Sequence, residues 1–179
     1  MRIIAGKYRG RVLKEFQGTD IRPTSDRVKE SVFQILTPYF AGARVLDLFA
    51  GSGALGIESL SRGAEEAVFN DSAKDSLLVL RANLQKVGER AKVYNLDYRG
   101  CLKSLSGKFR LIFLDPPYRM DIAEECLSLI RERKLLEEDG LAVYECEKEL
   151  TAPDGWEMAD MRSYGRTKVY FFREQEEGV

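Results

Sequence analysis

The sequence predicts an α/β domain: a mostly parallel β-sheet with helices on both faces, an antiparallel hairpin at its end and a small basic N-terminal extension. Three observations predict it. From residue 43 to residue 147, short apolar runs alternate with longer amphipathic ones, the order that builds a parallel sheet. The first apolar run leads into Gly51, Gly53 and Gly56, spaced G-x-G-x-x-G as in a tight strand-to-helix turn. The last two apolar runs flank Gly165 with no helical stretch between them, so they pair antiparallel.

In chain order, "MRIIAGKYRGRVLKEF" carries Arg2, Lys7, Arg9, Arg11 and Lys14 with no acid before Glu15. Such an arm, taken as residues 1–22, either faces phosphates or is a solvated, charge-protected edge. Pro23 and Thr24-Ser25-Asp26 read as a helix start, and Val28, Val32, Ile35 and Leu36 give that helix one apolar face. "ARVLDLF" (43–49) is the first strand, and after the glycine turn a helix runs near Leu55–Arg62 until Gly63 stops it. "EAVFND" (66–71) is a second strand, followed by a long helix over 72–88 that Gly88 closes. "AKVYNLD" (91–97) and "FRLIFLD" (109–115) are the third and fourth strands. A helix over 121–136 and a fifth strand, "GLAVYECE" (140–147), precede the two strands of the hairpin within 155–174. With no repeat and no low-complexity linker, residues 1–179 form one domain whose core is 23–179.

Hydrophobic residues make up 44% and charged residues 32%, the balance of an ordinary soluble globular protein. No apolar run approaches the ~20 residues that span a bilayer, and the N-terminus lacks the apolar stretch of a secretory signal. Cys101, Cys126 and Cys146 are odd in number without C-x-x-C spacing, so a reducing, cytoplasmic setting with idle thiols is expected, and no metal. There is no histidine, which removes Ser-His-Asp triads, H-E-x-x-H zinc sites and imidazole bases. The glycine turn lacks the Lys-Ser/Thr ending of a P-loop. No cysteine precedes a proline, which counts against covalent attack on a pyrimidine ring.

The glycine turn alone suits NAD or another adenosine-containing ligand. Asp47, in the strand just before it, would repel a pyrophosphate and attract a cation. S-adenosylmethionine has a sulfonium, an ammonium and no phosphate, so Asp47 favours it. Asp71 ends the second strand, where it can accept from a ribose diol. Asp97 ends the third, where it either accepts from an adenine amino group or caps a loop. The stretch "LIFLDPPYRM" runs a strand into Asp115, Pro116, Pro117 and Tyr118. Two prolines remove two N–H donors and fix the carbonyls rigidly. The Asp115 carboxylate and the Pro116 carbonyl would then accept the two hydrogens of an exocyclic –NH₂, with Tyr118 stacking on the base at roughly 1–3 kcal/mol. A paired base cannot reach such a corner, so the target is unpaired or flipped out.

"VLDLFAGSGALGIE" resembles motif I of class I S-adenosylmethionine-dependent methyltransferases, and "DPPY" is similar to the (D/N/S)-PP-(Y/F/W) motif of those that methylate amino or amide nitrogens. "MRIIAGKYRGRVLKEF", "RPTSDRVKESVFQIL" and "YGRTKVYFF" together resemble the RsmD-type bacterial 16S rRNA guanine-N2 methyltransferases over nearly the whole chain. The resemblance implies a Rossmann-like, seven-stranded methyltransferase sheet. It also implies methylation of one guanine in 16S rRNA, within the 30S subunit or a late precursor. Asp47, Phe49, Ala50, Gly51, Gly53 and Gly56 would then line the cofactor's methionine end. Asp71 would hold the ribose, Asp97 the adenine, and Asp115, Pro116 and Tyr118 the target base, with Asp115 also edging the cofactor. Arg9, Arg11, Arg22 and Arg27 become candidates for RNA phosphates beside Arg2 and Lys7. Ala73 departs from the family's second acid after Asp71. The rival readings are an amino-methyltransferase acting on DNA adenine or cytosine or on protein glutamine, an NAD-dependent oxidoreductase, and a non-catalytic RNA-binding module.

Overall fold

The computed structural model describes residues 1–15 and 25–178. Its elements are α1 (Asp26–Ile35), β1 (Arg44–Asp47), α2 (Ala54–Ser61), β2 (Glu66–Asn70), α3 (Lys74–Val87), β3 (Lys92–Tyr94), α4 (Tyr98–Ser104), β4 (Phe109–Leu114), α5 (Ala123–Glu132), β5 (Leu136–Cys146), β6 (Trp156–Tyr164) and β7 (Thr167–Glu174). The strands form one seven-stranded sheet in the order β3-β2-β1-β4-β5-β7-β6. Strands β1 to β5 run parallel, and β7 lies antiparallel between β5 and β6.

Successive side chains of a strand point to opposite faces, and here both faces are covered. Val45, Phe69, Leu111 and Phe113 join the layer of α1, α2 and α3. Leu46, Val68, Ile112 and Leu114 join that of α4 and α5. Burial on both sides is why the strands read as continuous apolar runs instead of alternating ones.

Ser25 caps α1 by accepting from the Val28 amide at 3.3 Å. Pro23 and Thr24 of the expected start lie outside the described residues. The larger departures from the expected boundaries fall at two places. The helix expected over 121–136 stops at Glu132, because Lys134 adopts a left-handed φ of 52°. Leu135 and Leu136 are buried as the chain turns into β5, which begins four residues before Gly140. The third strand is only Lys92–Tyr94, since Asp97 caps α4, a helix absent from the sequence expectation. Its signal was Tyr98, Cys101 and Leu102 at helical spacing, all buried.

The N-terminal arm folds back on itself. Arg2 bridges Val12, and the Ile3 amide donates to the Arg11 carbonyl at 2.9 Å. Ile3 and Leu13 are buried in the α1–α3 layer. Three polar side chains hold the arm from below. Glu58 of α2 accepts from the Ile4 amide at 3.0 and 3.2 Å. Ser61 donates to the Ala5 carbonyl at 2.6 Å. The buried Asn83 of α3 pairs with Lys14 in both directions, at 2.8 and 2.9 Å.

Candidate active site

Strand order reverses between β1 and β4, which pair in parallel with Asp47 opposite Phe113. At such a switch point the segments leaving the strands diverge and open a crevice. The glycine turn leaves β1 on one side of it, and Asp115-Pro116-Pro117-Tyr118 leaves β4 on the other.

Gly53 has φ 87°, and an added Cβ would meet Leu80 Cδ1 at 2.2 Å. At Gly56 the same addition would sit 2.2 Å from the Phe69 ring, so α2 lies directly on β2. Two carboxylates tie the turn down. Asp47, 1% exposed, accepts from the Gly56 amide at 3.0 Å. Asp71 accepts from the Gly51 amide at 2.9 Å with one oxygen and from the Ala73 amide at 2.9 Å with the other. The amide of Ala73 thus takes up one Asp71 oxygen just where a second acid was expected. Burial pushes the Asp47 carboxyl up to about 7, with the Gly56 amide opposing and the Asp71 charge adding to the shift.

Ala50 and Phe49 lie in the same turn. The Ala50 amide donates to the Asn70 carbonyl at 2.9 Å, and the half-buried Phe49 ring sits 5.9 Å from that of Tyr98. Asp97 is exposed and accepts from the Gly100 amide at 2.9 Å as the cap of α4. A residue that sequence reasoning missed joins these strand ends. Buried Asn70 donates to the carbonyls of Leu48 (3.2 Å) and Leu96 (2.9 Å) and accepts from the Leu96 amide (3.1 Å). The one polar residue inside "AVFND" before its acid was the available signal.

On the other side, Asp115 is half-buried, Pro116 buried and Pro117 exposed. Leu114 pairs with Tyr144, so Asp115 emerges beside Glu145 of β5. Both carboxylates line one small cleft with Lys29 and Val32 of α1, Leu55 of α2 and Val169 of β7. Tyr118 donates its hydroxyl to Glu145 Oε1 at 2.9 Å, and Thr167 Oγ1 lies 3.5 Å from that hydroxyl. Burial holds the Tyr118 phenol well above its ordinary value, so it stays a donor. Glu145 is the second residue missed, an acid within the apolar "LAVYEC" and only 8% exposed. It anchors the far edge of the Tyr118 ring to the sheet.

The chemistry of this donor and acceptor set fits an adenosyl ligand without phosphates. Asp47 and Asp71 put carboxylates directly behind the turn, and among the described residues no Lys or Arg side chain bonds to it. A pyrophosphate there would meet the Asp71 carboxylate with no cation beside it among the described residues, and a buried Asp47 that gains nothing from an anion. Asp71 and Asp97 each retain acceptor capacity, since a carboxylate offers about four lone-pair sites.

The basic candidates spread over two regions. Arg2, Arg9 and Arg27 are exposed. Lys7 pairs with Glu89 at 3.0 Å, and Arg11 donates to the Lys86 carbonyl at 3.2 Å. The Lys7 amide reaches the Ser61 carbonyl at the end of α2, where the sheet's strands begin and opposite the crevice. Arg22 lies outside the described residues. The three cysteines are buried and unbridged, and burial pushes Cys101 and Cys126 up to about 12, which keeps them inert.

The family model described as "Conserved hypothetical protein 95" matches residues 1–173. YlbH of Bacillus subtilis is 42% identical over 183 residues, covering 98% of this chain and 100% of that one. Ribosomal RNA small subunit methyltransferase D of Haemophilus influenzae is 39% identical over 172 residues, covering 92% of this chain and 89% of its own. The solved structure of yhhF from Escherichia coli superposes with a TM-score of 0.88 at 33% identity, covering 99% of each chain.

Proposed function

The chain belongs to the RsmD-type family of ribosomal RNA small subunit methyltransferases, and on that premise we propose that it methylates the exocyclic N2 amino group of one guanine in 16S rRNA. At the coarser level it is an S-adenosylmethionine-dependent rRNA methyltransferase. The choice of guanine in 16S rRNA rests on the family resemblance, and the observation that supports methylation of an amino nitrogen is the meeting of two segments at the β1/β4 switch point. A turn backed by Asp47 and Asp71 lies beside a corner that offers acceptors, Asp115 and the Pro116 carbonyl, to an amino group.

When bound, S-adenosylmethionine supplies an electrophilic methyl group on a sulfonium. The protein's own residues prepare the nucleophile. Asp115 and the Pro116 carbonyl each accept one amino hydrogen and so draw the nitrogen away from conjugation with the ring. Tyr118, held by Glu145, presents a fixed face that would orient the base and its amino nitrogen toward the cofactor side of the crevice. The proton released from the nitrogen has Asp115 as its nearest acceptor. Asp71 and Asp97 hold the ribose and adenine edges. Phe49, Ala50, Gly51 and Gly53 shape the methionine end, and Asp47 and Gly56 set the turn from behind. Arg2, Lys7, Arg9, Arg11, Arg22 and Arg27 supply contacts to RNA phosphates, and the substrate is the 30S subunit or a late precursor of it.

The test is transfer of labelled methyl to unmodified 30S subunits, with free 16S rRNA and duplex DNA alongside, followed by nucleoside mass analysis. N2-methylguanosine is the expected product, and Asp115→Ala should lower turnover by at least about 10²-fold while its circular dichroism stays that of the folded wild type. Label in adenine, DNA or protein would overturn the guanine reading and leave the methyltransferase in place.

A further inference from the structure

The β6–β7 turn sits at the crevice, far along the chain from the basic arm. Tyr164 and Thr167 pair across a two-residue turn in which Gly165 has φ 64°. Two side-chain contacts dock it. The Tyr164 hydroxyl lies 2.6 Å from Ser31 Oγ on α1, and Thr167 Oγ1 lies 3.5 Å from the Tyr118 hydroxyl. Arg166 stands between these two anchors, exposed, and Arg119 follows Tyr118 directly, also exposed.

Neighbouring cations are already neutralised. Lys168 pairs with Glu149 at 3.1 Å, Lys148 with Asp121 at 3.2 Å and Arg162 with Asp160 at 3.0 Å. Arg119 and Arg166 have no ion pair among the described residues. They flank the tyrosine that faces the target base, on two segments joined by the Tyr118–Thr167 contact. The planar guanidinium fork suits phosphate oxygens and loses little freedom per hydrogen bond formed.

We propose that Arg166 on the β6–β7 turn and Arg119 beside Tyr118 form a second RNA-binding surface, gripping the phosphates next to the flipped nucleotide. This rests on the rRNA methyltransferase reading and adds residues outside the N-terminal arm. Phosphate contacts position a strand without reading its sequence. Their loss therefore weakens binding uniformly and lowers its salt dependence.

The experiment measures binding of 30S subunits between 50 and 200 mM salt, with turnover followed in parallel, for wild type, Arg166→Gln, Arg119→Gln and the control Arg90→Gln. Arg90 is exposed just before β3, at the opposite edge of the sheet. Each crevice substitution should reduce the slope of log K against log salt by about 0.7–0.9. KM should rise several-fold while kcat stays within about twofold, and the thermal shift with S-adenosylhomocysteine should be unchanged. Slopes like that of wild type would overturn the proposal, as would a loss confined to kcat. Because binding is read directly, an inactive wild type that binds 30S would count against the functional reading alone.

Discussion

At Asp47, burial and charge oppose one another. An ordinary carboxyl titrates near 3.8, but here the folded value is raised to about 7. Between those values the folded chain holds a proton that the unfolded chain has released. Stability from this group is therefore present at low pH, is lost as pH rises from about 4 to 7, and stays flat above. Asp47→Asn keeps an acceptor for the Gly56 amide and removes the titration. Urea unfolding of the variant should show a shallower decline between pH 5 and 7.5 and a more stable protein at the upper end. An unchanged pH slope would assign the dependence to other groups. The position of Asp47 before the glycines was legible in the sequence. Its 1% exposure was not, because only the packing of α2 on β2 through Gly56 decides how deep it lies.

Among the elements, the arm departs most from what its composition suggests. Five cations before the first acid read as an arm facing phosphates or as a solvated, charge-protected edge, and in the structure Ile3 and Leu13 anchor that arm in the core. Its tip depends on Gly6, which has φ 86°, and an added Cβ there would come within 1.8 Å of the Ser61 carbonyl oxygen. Neither the conformation nor the backbone contact tolerates a side chain. Gly6→Ala should cost at least about 1 kcal/mol in urea unfolding, and amide exchange of the Lys7 and Tyr8 backbone should quicken. A variant as stable as wild type would mean that the arm's grip on α2 contributes little. The buried partners Glu58 and Asn83 could be flagged as polar residues inside apolar helical faces, but nothing in the sequence says what they hold. Their partners lie 54 and 69 residues away along the chain.

For the molecule as a whole, the decisive property is what the crevice between β1 and β4 admits. S-adenosylhomocysteine at 100 times its Kd should stabilise the protein by about 2.7 kcal/mol, read as a rise in Tm, and NAD at the same concentration should not. The opposite result would restore the dinucleotide reading of the glycines. The sequence by itself determined the α/β class, the order of the strands along the chain, the glycine turn and the Asp-Pro-Pro-Tyr corner. Each of these is written in local periodicity or in residues whose backbone restrictions act wherever they stand. Only the tertiary structure decided that Asp115 emerges beside Glu145, that Tyr118 hangs from that carboxylate, and that the β6–β7 turn reaches the same crevice. Those neighbours come from strands joined by crossovers, and pairing across a sheet depends on layers closing over a shared core, which no local pattern encodes.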